Sequence, residues 1–414
     1  MASDPVVITA VGAVTPVGLG WDATWESLLA GRSGVGGITL FDSARTGGTV
    51  AGEATGFDPE AVLGRRDARR ASRGSALAVA AAREAWESAG IGDFDPARVG
   101  VVVGAALGGF DLVAEQVRTA EEKGPDRISP HFLSNVLADA PSGWISIDLG
   151  LRGPNYAVVS ACATGAHAIG AGADMVRSGQ ADAVLAGGTE AIINELVIGG
   201  FMSMRALGTA REGEGPESAS RPFDATRNGF VLGEGAVVVV LERLADALAR
   251  GVAPLAELRA YGASADAHHL VAPHPDGTGV VEMMRSALRR GGVDPSEVAY
   301  VNAHGTSTPL NDAAESRAIR DVFGRHADRL GVSSTKSMTG HMMGAAGALE
   351  TAVCARALAE GILPPTINLV ERDAACDLDY VGEGARRVGG MRYALSNSMG
   401  LGGHNGCTLL ASLS

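Results

Sequence analysis

Along the chain, β-branched and apolar residues gather in short runs that end abruptly in glycines, small residues or polar groups. The run "VVITAVGAV" near the N-terminus reads as a first strand, with no basic region ahead of it to make it a signal peptide. Two longer segments echo each other. "REAWESAGIGDFDPARVGVVVGA", near residue 83, and "RSALRRGGVDPSEVAYVNAHG", near residue 285, both pass from a helical pattern through Asp-Pro into a valine-rich strand. A second pair, "SACATGAHAIGAGA" from Ser160 and "SMTGHMMGAAGALE" from Ser337, sets a glycine corner before a small-residue helix. Strands alternating with helices imply βαβ units and a largely parallel sheet. The repetition implies a duplicated α/β chain with similar halves over residues 1–251 and 252–414, fused near Gly251 without a linker.

The stretch "YAVVSACATGAHAIGAG" concentrates the chemistry of the first half. Val158 and Val159 predict a buried strand after Tyr156, and residues 161–172 predict a closely packed helix. Cys162 then sits at the corner, where free N–H groups and the positive end of the helix dipole favour a thiolate. Taken alone, such a cysteine is most often a small buried hydrophobe. The second half supplies possible company for it. "VAYVNAHGTSTPLND" runs a strand into His304, "VSSTKSMTGHMMGAAG" carries Lys336 and His341 around a turn, and "YALSNSMGLGGHNG" ends a strand in a loop with free N–H groups. Ligands in α/β sheets bind at the C-terminal ends of parallel strands. Zinc is one rival for a Cys-His-His set, but no CxxC or HExxH spacing accompanies it. A Cys-His hydrolase is another, and it leaves one histidine without work. Two neutral histidines donating hydrogen bonds suit the stabilisation of a thioester enolate beside an acyl-cysteine.

Composition narrows the picture further. With 46% hydrophobic residues but 4% aromatics, the core must be built from Ala, Val, Leu and Ile, and 58 glycines imply many tight turns and close approaches. A net charge of −13 argues against nucleic-acid binding. No apolar run approaches the ~20 residues of a membrane span. Cys162, Cys354, Cys376 and Cys407 show no paired spacing, which suits reduced thiols in a cytoplasm. Against the acidic background, "GRRDARRASRG" gathers Arg65, Arg66, Arg69, Arg70 and Arg73, a solvated face unless an acidic partner exists. Lys123 and Lys336 are the only lysines.

The motifs "SACATGAH", "RPFDATRNGFVLGEGA", "NAHGTSTPLND", "STKSMTGHMMGAAGALE" and "NSMGLGGHNG" together resemble the β-ketoacyl-acyl-carrier-protein synthases over residues 5–412. The likeness is to the elongating type II (KAS II-like) enzymes and, close by, to type II polyketide ketosynthase α subunits. It implies the duplicated thiolase fold, five layers in the order αβαβα. It also implies a decarboxylative Claisen condensation, in which Cys162 takes an acyl group and a malonyl group on acyl carrier protein supplies the enolate. By the resemblance, His304 and His341 bind the malonyl thioester carbonyl and Lys336 orients His341 and its surroundings electrostatically. The N–H groups of Cys162 and Leu401 form the oxyanion hole, Thr306 and Thr308 hold the phosphopantetheine arm, and Met399 and Leu401 gate the acyl pocket. Arg65, Arg66, Arg69, Arg70, Arg127 and Arg205 dock the carrier protein. Asn302, Glu350 and Asn397 match positions near a structural monovalent cation, and no organic cofactor is implied. The expected assembly is a homodimer, or a heterodimer with a cysteine-less chain-length factor. The pathway is fatty-acid elongation, with type II polyketide synthesis as the alternative; a non-enzymatic scaffold subunit would lack the Cys-His-His set. Four departures stand out. Met399 and Leu401 replace common phenylalanines, Val271 replaces a pantetheine-contacting threonine, Asn228 replaces an aspartate, and Asp139 lies in the pocket-lining segment.

Overall fold

The computed structural model describes residues 4–413. Ten strands form the spine of the principal sheet: β1 (Val6–Thr15), β2 (Val99–Ala105), β3 (Asn155–Tyr156), β4 (Ala183–Glu190), β5 (Gly235–Arg243), β6 (Ala256–Ala265), β7 (Val298–Asn302), β8 (Gly331–Ser333), β9 (Tyr393–Gly400) and β10 (His404–Ala411). Their spatial order is β8-β7-β9-β10-β6-β1-β5-β4-β2-β3, with the short strand Gly18–Leu19 folded back on β1. The order is a palindrome. Read from either end it gives a short edge strand, a parallel neighbour, a second parallel strand and then two antiparallel ones, meeting where β1 pairs β6 at Val7–Glu257 and Ile8–Ala256.

Seven helices matter for the site: α1 (Pro59–Ala68), α2 (Arg73–Ala89), α3 (Ala140–Leu149), α4 (Thr164–Arg177), α5 (Thr278–Gly291), α6 (Pro309–Phe323) and α7 (Ala346–Glu360). α2 and α3 cover the outer face of the first half, and α5 and α6 that of the second. α4 and α7 lie between the halves and touch strands of both. The layers therefore run αβαβα, as the resemblance implies. Small residues make the middle layer thin enough. A Cβ on Gly165 would lie 2.6 Å from the Ala348 nitrogen, and one on Gly347 would lie 2.8 Å from that of Ala166. Any side chain there would push the two central helices apart.

Two expectations are corrected. The sheet is mixed rather than largely parallel. Only the outer three strands of each half are joined by helical crossovers, while β4–β5, β9–β10 and the central strands pair antiparallel. Val158 and Val159 are not part of a buried strand: β3 stops at Tyr156, and Val159 is exposed. Gly251 lies in the turn between the helix Leu244–Ala249 and β6, with a positive φ of 75°. Among the described residues, no helix is long and apolar enough to cross a membrane.

Candidate active site

The palindrome brings matching corners of the two halves together. In the first half, a 3₁₀ turn over Ala161–Ala163 precedes α4; in the second, a 3₁₀ turn over Met343–Ala345 precedes α7. Each turn opens on a non-glycine residue with positive φ, 50° at Ala161 and 46° at Met343. Backbone held in that region is strained and must be over-determined by its surroundings. The turns pack on each other, which sets the Cys162 sulfur 3.9 Å from the Met343 sulfur.

Cys162 is 5% exposed and shares an apolar cluster with Ile192, Phe201, Phe230 and Met343. Burial pushes its thiol up to about 11, against pulls from the Leu401 N–H, Lys336 and its own N–H. Glu190 adds to the rise. The expected helix-start thiolate is thus a thiol at neutral pH, because desolvation outweighs the N–H groups and the dipole. The loop after β9 reaches the corner because Gly400 has no side chain; a Cβ there would lie 2.7 Å from the Ser160 carbonyl and 3.2 Å from the Cys162 nitrogen.

His304 follows β7. Its N–H and that of Gly305 donate to Glu315 on α6, at 2.8 and 2.9 Å. Lys336 Nζ donates to the His304 carbonyl at 2.7 Å, sits 3.3 Å from His304 Nδ1, and forms a buried ion pair with Glu350. An ammonium cannot accept, so Nδ1 accepts and the ring proton belongs on Nε2. The direct partner of Lys336 is therefore His304, while its charge also acts on His341. His341 is also buried, meets His304 edge-on at 5.3 Å, and has no hydrogen-bond partner at either ring nitrogen among the described residues. Burial first, then Lys336, holds both imidazoles well below their ordinary range, with His341 lowering His304 further. Both are neutral at pH 7.

One cavity of about 450 Å³ is lined by Cys162, His304, His341, Thr306, Thr308, Met399 and Leu401. Its mouth carries Arg205, Asn228 and Val271. Thr306 and Thr308 share a hydrogen bond of 3.0 Å. Asn228 holds Thr209 through two hydrogen bonds, to its N–H and its hydroxyl, as a structural residue would. Arg65, Arg66 and Arg69 are exposed on and just after α1, Arg70 leans on Asp67, and Arg127 is exposed beside Asp126. None of these five lines the cavity. Arg73 leaves the cluster altogether to pair with buried Glu234 at 2.7 Å. Asp139 is exposed at the start of α3 and lines no part of the cavity.

Asn302 Oδ1, Glu350 Oε2, Asn397 Oδ1 and Ser396 Oγ are buried without hydrogen-bond partners among the described residues. Asn302 and Ser396 are register partners on β7 and β9, against which α7 packs. Among the described residues, no cluster of three His, Cys, Asp or Glu side chains could hold a metal ion. The sequence reading missed Glu315 and Glu190. Each is an acid fully buried at a strand or helix facing the corners, and "AVLAGGTE", an apolar strand ending in an acid, carried a signal for the second.

Comparison with known proteins agrees with this arrangement. Residues 3–247 match the beta-ketoacyl synthase N-terminal domain, and residues 255–370 match its C-terminal domain. The chain is 45% identical over 408 residues to 3-oxoacyl-[acyl-carrier-protein] synthase 2 of Coxiella burnetii, covering 98% of both chains. It is 44% identical to the enzyme of the same name from Synechocystis, covering 97% of this chain and 96% of that one. Among solved structures, the ishigamide ketosynthase/chain length factor superposes with a TM-score of 0.92 at 35% identity, over the whole of both chains. A type II polyketide ketosynthase solved with its acyl carrier protein, bound to the hexaketide, superposes at 0.91 with 30% identity, also over the whole of both. A buried thiol and two neutral histidines at the paired corners of a duplicated fold, with likeness along the whole chain, lead to one conclusion: this protein belongs to the beta-ketoacyl synthase family.

Proposed function

We propose that the protein condenses an acyl group carried on Cys162 with malonyl-acyl carrier protein, releasing CO₂ and giving 3-oxoacyl-acyl carrier protein, in fatty-acid elongation. The observation that carries this reading is the single cavity holding the Cys162 thiol beside two unprotonated imidazoles, one of them with both ring nitrogens unsatisfied. In loading, the sulfur takes the acyl group and its proton leaves with the carrier's thiol. In the second step, His304 Nε2–H and His341 donate to the malonyl thioester oxygen, so that negative charge developing there as CO₂ departs is met by fixed dipoles. Neutral donors suit this step because they cannot quench the enolate. Its carbon attacks the acyl-cysteine carbonyl, whose oxygen turns to the N–H groups of Cys162 and Leu401. Collapse then expels the sulfur.

Lys336 supports the reaction by fixing the tautomer of His304. The unpartnered oxygens of Asn302, Ser396, Asn397 and Glu350 fit a hard monovalent cation. Such an ion would offset the Glu350 charge that balances Lys336. Thr306 and Thr308 line the path of the phosphopantetheine arm. Arg205 at the mouth, with Arg65, Arg66, Arg69, Arg70 and Arg127 outside it, offers positive charge to an acidic carrier protein. The subunit also presents an apolar edge. Leu133, Leu137 and Val159 are exposed near β3, whose outer flank is unpaired among the described residues. An uncovered strand edge with apolar neighbours suits pairing with a second subunit. The workplace implied is the cytoplasm.

Polyketide chain building is the second reading, favoured by the ketosynthase structures and by Met399 and Leu401 at the gate. It shares every chemical step. The experiment is mass spectrometry of Cys162 after incubation with a panel of acyl carrier proteins, followed by malonyl carrier protein. Saturated acyl adducts that extend by two carbons support elongation. No adduct on Cys162 from any carrier would overturn the condensing reading.

A further inference from the structure

The pseudo-twofold arrangement pairs β4 with β9, so the end of each strand meets the corner of the opposite half. At the end of β9, the Leu401 N–H points at the Cys162 sulfur. At the end of β4 stands Glu190, wholly buried, with no ion-pair partner among the described residues. Its Oε2 accepts from the N–H of Ala106 at 2.7 Å and of Gly344 at 3.2 Å, and its Oε1 from Leu107 at 3.2 Å. One carboxylate thus ties the segment after β2 to the turn that presses Met343 on the sulfur. Ala106, Met343 and Cys162 belong to the same apolar cluster. The tie is close: a Cβ on Gly344 would lie 2.7 Å from the Ala106 nitrogen and 3.0 Å from Glu190 Oε2.

We propose that Glu190 is a positioning residue for acyl loading: it fixes the wall of Ala106 and Met343 beside the sulfur, and its negative charge restrains the reactivity of Cys162. The proposal rests on Cys162 as the acyl-bearing nucleophile. A buried carboxylate without a cation is costly, and three N–H donors are what make it tolerable here. Burial still pushes it up to about 7, with the backbone donors opposing. The charged and titratable groups facing the sulfur are Glu190 from β4, Lys336 from the turn after β8, and neutral His304 and His341. Glu190 and Lys336 act on it in opposite directions. Removing the carboxylate takes away the one charge that raises the thiol, so it should ionise more easily.

The test uses the full-length protein and two variants. Alkylation of Cys162 by iodoacetamide, followed by mass spectrometry from pH 7 to 11, reads the sulfur without any acyl substrate. Loading from saturated acyl carrier proteins of graded length reads the wall. Glu190→Gln should speed alkylation at pH 8 by about threefold to tenfold, a midpoint shift of a half to one unit, and flatten the chain-length preference. Glu190→Asp keeps the charge but shortens the tie, so it should alter chain-length preference and leave the alkylation midpoint near that of the wild type. A folded Glu190→Gln with wild-type alkylation overturns the proposal. If that variant does not fold, a Glu190→Asp protein with a wild-type loading profile overturns it instead. Wild-type protein that alkylates but never loads would sink the condensing reaction, while the alkylation shift would still report on Glu190.

Discussion

The two corners share a backbone design and differ in how they treat charge. Around Cys162, burial among apolar side chains raises the thiol to about 11, and the hydrogen-bond donors that oppose the rise are main-chain N–H groups. Around His304 and His341, the polypeptide buries an ammonium, two carboxylates and several amides within one network. The same strand-turn-helix plan thus hosts one thiol kept protonated by dryness and two imidazoles kept neutral by dryness and a neighbouring cation. The lesson is about economy of placement. Desolvation is the largest influence on the nucleophile, whereas the histidines also need a fixed tautomer, which takes a buried Lys336–Glu350 pair.

Breaking the first corner should have the largest effect. Cys162→Ala is expected to lower acyl transfer and condensation by at least about a thousandfold, since no other group takes over a covalent role. A radiolabelled acyl-transfer assay checks this, and elongation near the wild-type rate would remove Cys162 from the reaction. The second corner should fail differently. Lys336→Met leaves Glu350 buried without its cation, a change worth about 3–5 kcal/mol of stability. Malonyl decarboxylation should fall with it while Cys162 still alkylates, and urea denaturation alongside CO₂ release measures both. If decarboxylation survives in Lys336→Met, the ammonium does not govern His304.

Two smaller changes sharpen the contrast at the cavity mouth. Leu401→Phe leaves the backbone N–H in place and fills more of the entrance. Differences of one or two methylenes are worth only ~1–3 kcal/mol, so the loading profile should shift rather than switch. Identical profiles across chain lengths would free Leu401 of any gating role. Reversing charge at Arg65, Arg66 and Arg69 should barely alter the fold, because exposed charges contribute little to stability. It should raise KM for acyl carrier protein at low salt and lose that effect as salt rises. An unchanged low-salt KM would clear α1 of a docking role.

Much of this was readable from the residues. The glycine corners, the Asp-Pro echoes and the small-residue helices located Cys162, His304 and His341, because tight turns and close helix crossings need those residue types. Sheet direction was not readable, since antiparallel hairpins such as β9–β10 and buried crossover strands are equally valine-rich. Val158 and Val159 misled for a related reason: a run of valines marks a surface to be covered as well as a strand. The thiolate expectation failed because local N–H groups are visible in sequence while burial is not. The Lys336–His304 contact, 32 residues apart, depends on how β7 and β8 lie side by side.

The two ends of the sheet also differ. Along β8 the outer side is occupied by the chain itself, through the bridge from Gly331 to Asp379 and the hydrogen bond from Val332 to the Asp379 carbonyl. β3 has no such neighbour among the described residues. If a second subunit pairs along β3 as proposed above, a single berth would close the assembly at a pair and give no filament. A copy of the same chain and a cysteine-less homologue would have to compete for that place. Under such rivalry the relative abundance of the two chains, rather than any change in the catalytic groups, would set how many complexes carry two active thiols and how many carry one.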